Sequence, residues 1–149
     1  MMIARRLSEA GASEESIQRL EIEFGLRLPE EYRRFLASFN GGKPVPSGFS
    51  FETNEGLSES SIRYFLTLDT NAEHYTIWEF LVRYRDRIPS GLLPVACDSF
   101  ENLVLIDVGA KEVGSVYFWD HEKESMDEPT WENISLVAPS FTALEQTLH

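Results

Sequence analysis

Asp120-His121-Glu122 sets an imidazole between two carboxylates, the residue types used for both metal ligation and proton transfer. Their spacing argues against either role. Neighbouring residues on an extended chain point to opposite faces, so three consecutive side chains do not converge on one ion, and no second His or Cys stands at ligand spacing. His74 precedes a helix start and His149 is the last residue, so neither completes a site. Cys97 lies among Leu93, Val95 and Ala96 and reads as a small core residue rather than a reactive thiol. As the single cysteine it leaves no intrachain disulfide. No Gly-x-Ser-x-Gly elbow, phosphate loop or dinucleotide fingerprint occurs. No catalytic residue, cofactor or metal is assigned: nothing in these residues asks for an enzyme, and a catalytic or ligand-binding pocket near Asp120 and His121 is left as a third reading.

Charge is the more informative chemistry. Asp and Glu number 25 against 13 Lys and Arg, a formal net charge of −12. A nucleic-acid binder needs the opposite sign to displace counterions from phosphates, so direct DNA or RNA binding is not expected, nor is attachment to anionic lipid. The acids are densest in DHEKESMDEPTWE, where Asp120, Glu122, Glu124, Asp127, Glu128 and Glu132 face a single Lys123. Two readings fit this segment. One is a solvated connection between strands. The other is a surface for a partner protein, with Trp131 as aromatic anchor, since interface hot spots favour Trp, Tyr and Arg. A second acidic set, Glu52, Glu55 and Glu59, falls in another long loop, and spacing alone leaves open whether the two are neighbours. Arg83, Arg85 and Arg87 could salt-bridge neighbouring acids or a partner, and ordinary helix-surface charge is the simpler reading.

The elements that must hold these residues follow from periodicity and punctuation. A first helix is expected over 14–24, with Ser13 as N-cap and Glu14 and Glu15 in its first turn. Pro29 opens a second helix as its first residue, Tyr32, Phe35, Leu36 and Phe39 form its stripe, and Asn40-Gly41-Gly42 stops it. A third starts at Thr76, whose spacing to Glu79 is that of a capping box, with Tyr75 and Phe80 as the staple pair and Ile77, Phe80, Leu81, Tyr84 and Ile88 buried. Pro139-Ser140 opens a fourth, with Phe141, Leu144 and Leu148 on its face. Residues 1–12 read as an irregular lead and Lys43 to Gly48 as a loop. Strands are expected at Phe49 to Phe51, at Ile62 to Leu68 with Ile62, Tyr64, Leu66 and Leu68 sharing a face, and at Leu92 to Cys97, Leu103 to Val108, Val116 to Trp119 and Asn133 to Val137. Short turns between the last four favour an antiparallel meander. With 149 residues, no repeat and no linker, the prediction is one α+β domain over 1–149, helices packed on a mainly antiparallel sheet. The N-terminus MMIARRLSEA has no apolar run long enough for a signal peptide or a membrane span, so a soluble, cytoplasmic protein is expected.

The ordered set Phe24-Gly25, Leu28-Pro29, Tyr32, Phe35, Leu36, Asn40-Gly41-Gly42, Ile88-Pro89, Leu93-Pro94-Val95-Ala96, Asp98, Asn102, Leu105-Ile106-Asp107, Val116 to Glu122, Ala138 and Ser140-Phe141 resembles the SUKH superfamily of the Smi/Knr type. The sequence departs from that pattern at Glu101, where many members carry Gly before Asn102, which leaves the turn type there open. The resemblance implies an α+β domain that acts without catalysis. In bacteria such domains serve mostly as immunity proteins that bind a cognate toxin, often a nuclease. Eukaryotic relatives regulate cell-wall and signalling processes through protein contacts, so an interaction module with a regulatory partner is the alternative. The acidic charge fits the first role, because a nuclease that grips phosphates presents Lys and Arg that an acidic surface covers. The expected partner is a toxin with a basic surface, bound by Asp120, Glu122, Glu124, Asp127, Glu128, Trp131 and Glu132, with this chain as a monomer.

Overall fold

The computed structural model describes residues 1–149. Its helices start where their capping residues put them. In α1 (Glu14–Phe24) the Ser13 side chain accepts from Ser16 N, and Gly25, at φ 61°, turns its N–H back to the Glu21 carbonyl. Helix α2 (Glu30–Ser38) begins one residue later than expected: Pro29 is its N-cap, extended at ψ 142°, and its carbonyl accepts from Tyr32 and Arg33. Asn40, Gly41 and Gly42 then take φ 51°, 89° and 119°, the left-handed stop that the sequence predicts. Helix α3 (Ile77–Tyr84) is capped by Thr76, which accepts from Glu79 N at 3.1 Å. The Glu79 carboxylate pairs with Arg83 at 2.9 Å, and the Tyr75 ring, expected to staple against Phe80, packs on Tyr64 at 4.5 Å between centroids. Helix α4 (Phe141–Thr147) is capped by Ser140, and Glu31 reaches across from α2 to accept from Thr142 N at 3.0 Å. That backbone bond holds the Glu31 carboxyl below its ordinary pKa.

The strands β5 (Tyr64–Phe65), β6 (Leu92–Cys97), β7 (Leu103–Asp107), β8 (Val116–Trp119) and β9 (Ile134–Ala138) form one antiparallel sheet in chain order, the expected meander. Every residue of β6 and β7 is buried, because both faces of the sheet are covered. On one face Trp119 meets Tyr84 of α3 edge-on at 5.8 Å. On the other, the adjacent Phe118 stacks on Phe51 at 4.4 Å. Phe35 of α2 packs on Phe65 at 4.8 Å and on Phe141 of α4 at 5.0 Å, so one aromatic cluster joins two helices to the sheet. No helix is long and apolar enough to cross a membrane.

Three stretches differ from expectation. The lead and the proline-rich loop form a two-stranded ribbon of β1 (Met2–Arg5) and β2 (Lys43–Val45); a ribbon this short tolerates Pro44 because only part of its N–H row is paired. Ile62 to Leu68 is buried at all positions but Arg63 and pairs as a strand only at Tyr64 and Phe65. Its later N–H groups go to three partners: Leu66 to the Val95 carbonyl, Thr67 to that of Tyr75, and Leu68 to the Asn40 side chain. Thirdly, β3 (Gly48–Thr53) and β4 (Gly56–Ser61) make a regular hairpin around the two-residue turn Asn54-Glu55, where sequence indicated a short strand and a polar loop.

Candidate functional site

The hairpin lies across the sheet because Phe49 and Phe51 pack on Phe118, at 5.8 and 4.4 Å. Ser60 and Ser58 stand directly opposite Phe49 and Phe51, so their side chains share that inward face. Ser60 Oγ donates to Asp98 Oδ2 at 2.9 Å. Asp98 is 5% exposed, and its Oδ1 also accepts from Phe100 N and Asn102 N at 2.8 and 2.9 Å. Asn102 Nδ2 donates to Asp98 Oδ2, and Asn102 Oδ1 accepts from His121 N at 3.0 Å. One network thereby ties the hairpin, the β6–β7 turn and a single 3-10 turn over His121–Lys123. Within that turn Asp120 accepts from Glu122 N at 3.0 Å, and its own carbonyl accepts from Asn133 Nδ2 at 2.9 Å. Glu101 takes φ 68°, so the β6–β7 turn keeps the left-handed conformation that a glycine there adopts freely.

Between the hairpin and this turn runs a cleft of about 730 Å³ whose acids are Glu55, Glu59, Asp98, Asp120 and Glu122, against Lys123 and His149. An adjoining cleft of about 540 Å³ between β3 and β9 adds Glu52 and Glu132. Lys123 Nζ lies 3.7 Å from Glu55 Oε1, so the two acidic segments are neighbours. Glu52, Glu55 and Glu59 sit on β3, in its turn and on β4, which corrects their placement in a long loop. Exposed carboxylates around an open cleft attract basic side chains. No three His, Cys, Asp or Glu side chains group to hold a metal ion, and His121 has Asp120 and Glu122 on either side in a tight turn rather than around one point.

The predicted contact residues divide. Asp120 and Glu122 line the larger cleft, and Glu132 the smaller. Asp127 and Glu128 are exposed and line neither. Glu124 is bound by Arg87 through two bonds of 3.2 and 2.5 Å, and the guanidinium stacks over Tyr84 at 4.9 Å and Trp119 at 5.4 Å. That hydrogen bond raises the Arg87 pKa. Arg87 is thus a clamp on the acidic segment and not an ordinary surface charge, whereas Arg83 keeps to its i,i+4 pair with Glu79. Trp131 is half-buried, edge-on to Tyr117 at 5.2 Å and covered by Lys111 at 4.0 Å; its ring braces the segment on the sheet face away from the hairpin. Cys97 is buried, and desolvation pushes its thiol up to about 11, as expected of a core cysteine. Ser60 and Phe100 have no role assigned from sequence, and Asn102 enters there only as part of the family pattern. The available signal was Asp98 followed by a turn ending at Asn102, a spacing that suits side-chain capping of backbone N–H groups.

The family model described as SMI1 / KNR4 family (SUKH-1) matches residues 11–146. The SPbeta prophage-derived uncharacterized protein YokK of Bacillus subtilis (strain 168) is 24% identical over 142 residues, which cover 85% of this chain and 69% of that protein.

Proposed function

The chain belongs to the SMI1/KNR4 family (SUKH-1), and from that premise we propose that it is an immunity protein, a stoichiometric binder that neutralises a cognate bacterial toxin of nuclease type through its acidic cleft. The observation that carries this reading is the convergence of two acidic segments, far apart in sequence, around one open cleft. A nuclease holds phosphates with Lys and Arg, and a surface lined by Glu55, Glu59, Asp120, Glu122 and Glu132 offers those cations carboxylates in place of nucleic acid. Complementary charge also speeds encounter, by an amount that falls as salt rises. The protein acts in the cytoplasm as a monomer, with no cofactor and no direct contact with nucleic acid.

The test is co-expression with the product of the neighbouring open reading frame, in cells that this product poisons. The expected outcome is growth rescue and a one-to-one complex on size-exclusion chromatography. Absence of both rescue and complex rules the proposal out.

A further inference from the structure

We propose that the outer edge of β4 is a docking strand: an extended, Lys- or Arg-bearing segment of the partner protein adds to it and lays basic side chains into the acidic cleft. The inference rests on the reading above that the partner is a protein with a basic surface.

The phase of the hairpin decides which backbone groups are free. Thr53 and Gly56 flank the two-residue turn, and Ile62 N donates to the Ser47 carbonyl at 2.8 Å. Alternation then turns the N–H groups of Gly56, Ser58 and Ser60 toward β3 and those of Leu57, Glu59 and Ser61 away from it. β4 pairs with β3 alone, and no backbone bond from elsewhere in the fold reaches these three residues. All three are exposed. The outer edge of β3, by contrast, is taken at Gly48, which exchanges two 2.9 Å bonds with His149.

Free edges in soluble proteins are commonly blunted by a proline, a lysine or a bulge. β4, GLSESS, has no proline and no lysine, and its register with β3 is unbroken. Its one charge is Glu59, and the cleft beneath is acidic. A second copy of this chain is a poor occupant, since edge-to-edge pairing would bring Glu59 against Glu59 on molecules of charge −12. A basic segment of about six residues matches the length of β4, roughly 20 Å. Alternate side chains of that segment would enter over Asp98, Asp120 and Glu122, while the others lie beside Leu57 and Glu59.

The test uses the isotope-labelled full chain and a twelve-residue peptide of alternating Lys and Thr. Expected is protection of the Leu57, Glu59 and Ser61 amides from hydrogen exchange by at least about tenfold on binding, with Ser58 and Ser60 little changed. Glu59→Pro removes an outward N–H while sparing the bonds to β3, and should weaken peptide binding about tenfold or more. Where Glu59→Pro disturbs the hairpin spectrum, Glu59→Lys, which keeps the edge and reverses its charge, should weaken it likewise. The inference fails if the peptide does not bind, if it binds without protecting those amides, or if protection rises with protein concentration alone, the mark of self-pairing. Toxin rescue separates the two proposals. Rescue by the wild type and undiminished rescue and affinity in Glu59→Pro overturns the docking edge only, whereas failure of the wild type to rescue overturns the immunity reading.

Discussion

At the scale of residues, the buried carboxylate of Asp107 shows how geometry overrides desolvation. It has no solvent exposure, which works to raise its pKa, yet the N–H groups of Gly109, Ala110, Lys111 and Glu112 donate to it at 2.7–2.9 Å. Those bonds outweigh burial and hold the folded pKa below the ordinary value. A depressed folded pKa gives stability that is complete above the unfolded-state pKa of about 3.9 and is lost as pH falls through the folded value. Asp107→Asn should therefore cost roughly 1–3 kcal/mol at neutral pH, and its difference from wild type in urea unfolding should shrink below about pH 4. Tyr32 presents the opposite case. Its hydroxyl is fully buried without a hydrogen-bond partner, and burial raises its pKa. Tyr32→Phe should be neutral or stabilising by up to about 1 kcal/mol, a gain read as a higher urea midpoint at unchanged slope. Glu101 carries the φ of 68° where a glycine is at ease; Glu101→Gly should raise stability by about 0.5–1 kcal/mol, measured the same way.

At the scale of elements, the starts of α1 to α4 were legible to within a residue because capping is local: Ser13, Thr76 and Ser140 each accept from an N–H three residues on. The end of α3 was not, since the helix stops at Tyr84 and leaves Ile88, expected on its stripe, outside it. The meander was legible because four apolar runs follow one another with no amphipathic helical pattern between them, although the last connection is the long acidic segment between Trp119 and Ile134 and not a short turn. β4 was not, since its only large apolar residue, Leu57, is 76% exposed, and the strand is held by backbone pairing to β3 rather than by an alternating pattern. Ile62 to Leu68 misled for the reverse reason, its apolar run being buried by surroundings on several sides. Gly11 marks a contact that no propensity reveals. A Cβ there would fall 1.7 Å from the Ala37 carbonyl oxygen, where the chain closes on the end of α2. Gly11→Ala should destabilise more than Gly25→Ala, although Gly25 has φ 61° and open space around it; thermal melts of the two variants decide the order.

At the scale of the whole molecule, the acidic excess was visible in composition, but its focus was not. Asp120 and Glu55 become neighbours only because Phe49 and Phe51 find Phe118, a long-range packing event with no local signature. Nor did sequence show that Glu124 and Trp131 serve the framework through Arg87, Lys111 and Tyr117. With charge focused at the cleft, the association rate for a basic partner should fall as salt rises from 0.05 to 0.5 M, by about tenfold or more, and the Asp120→Asn/Glu122→Gln pair should flatten that dependence in stopped-flow measurements.

The hairpin joins this framework through one face, Phe49, Phe51 and Ser60, and leaves Glu52, Leu57 and Glu59 exposed on the other. On the docking proposal, Glu52, Leu57 and Glu59 are thus positions where partner contacts can change without touching the packed face of the same two strands. A library randomised at positions 52, 57 and 59 should return mostly folded chains with new partner preferences, so the molecule can be retargeted at little risk to its architecture, as a key recut on an unchanged bow.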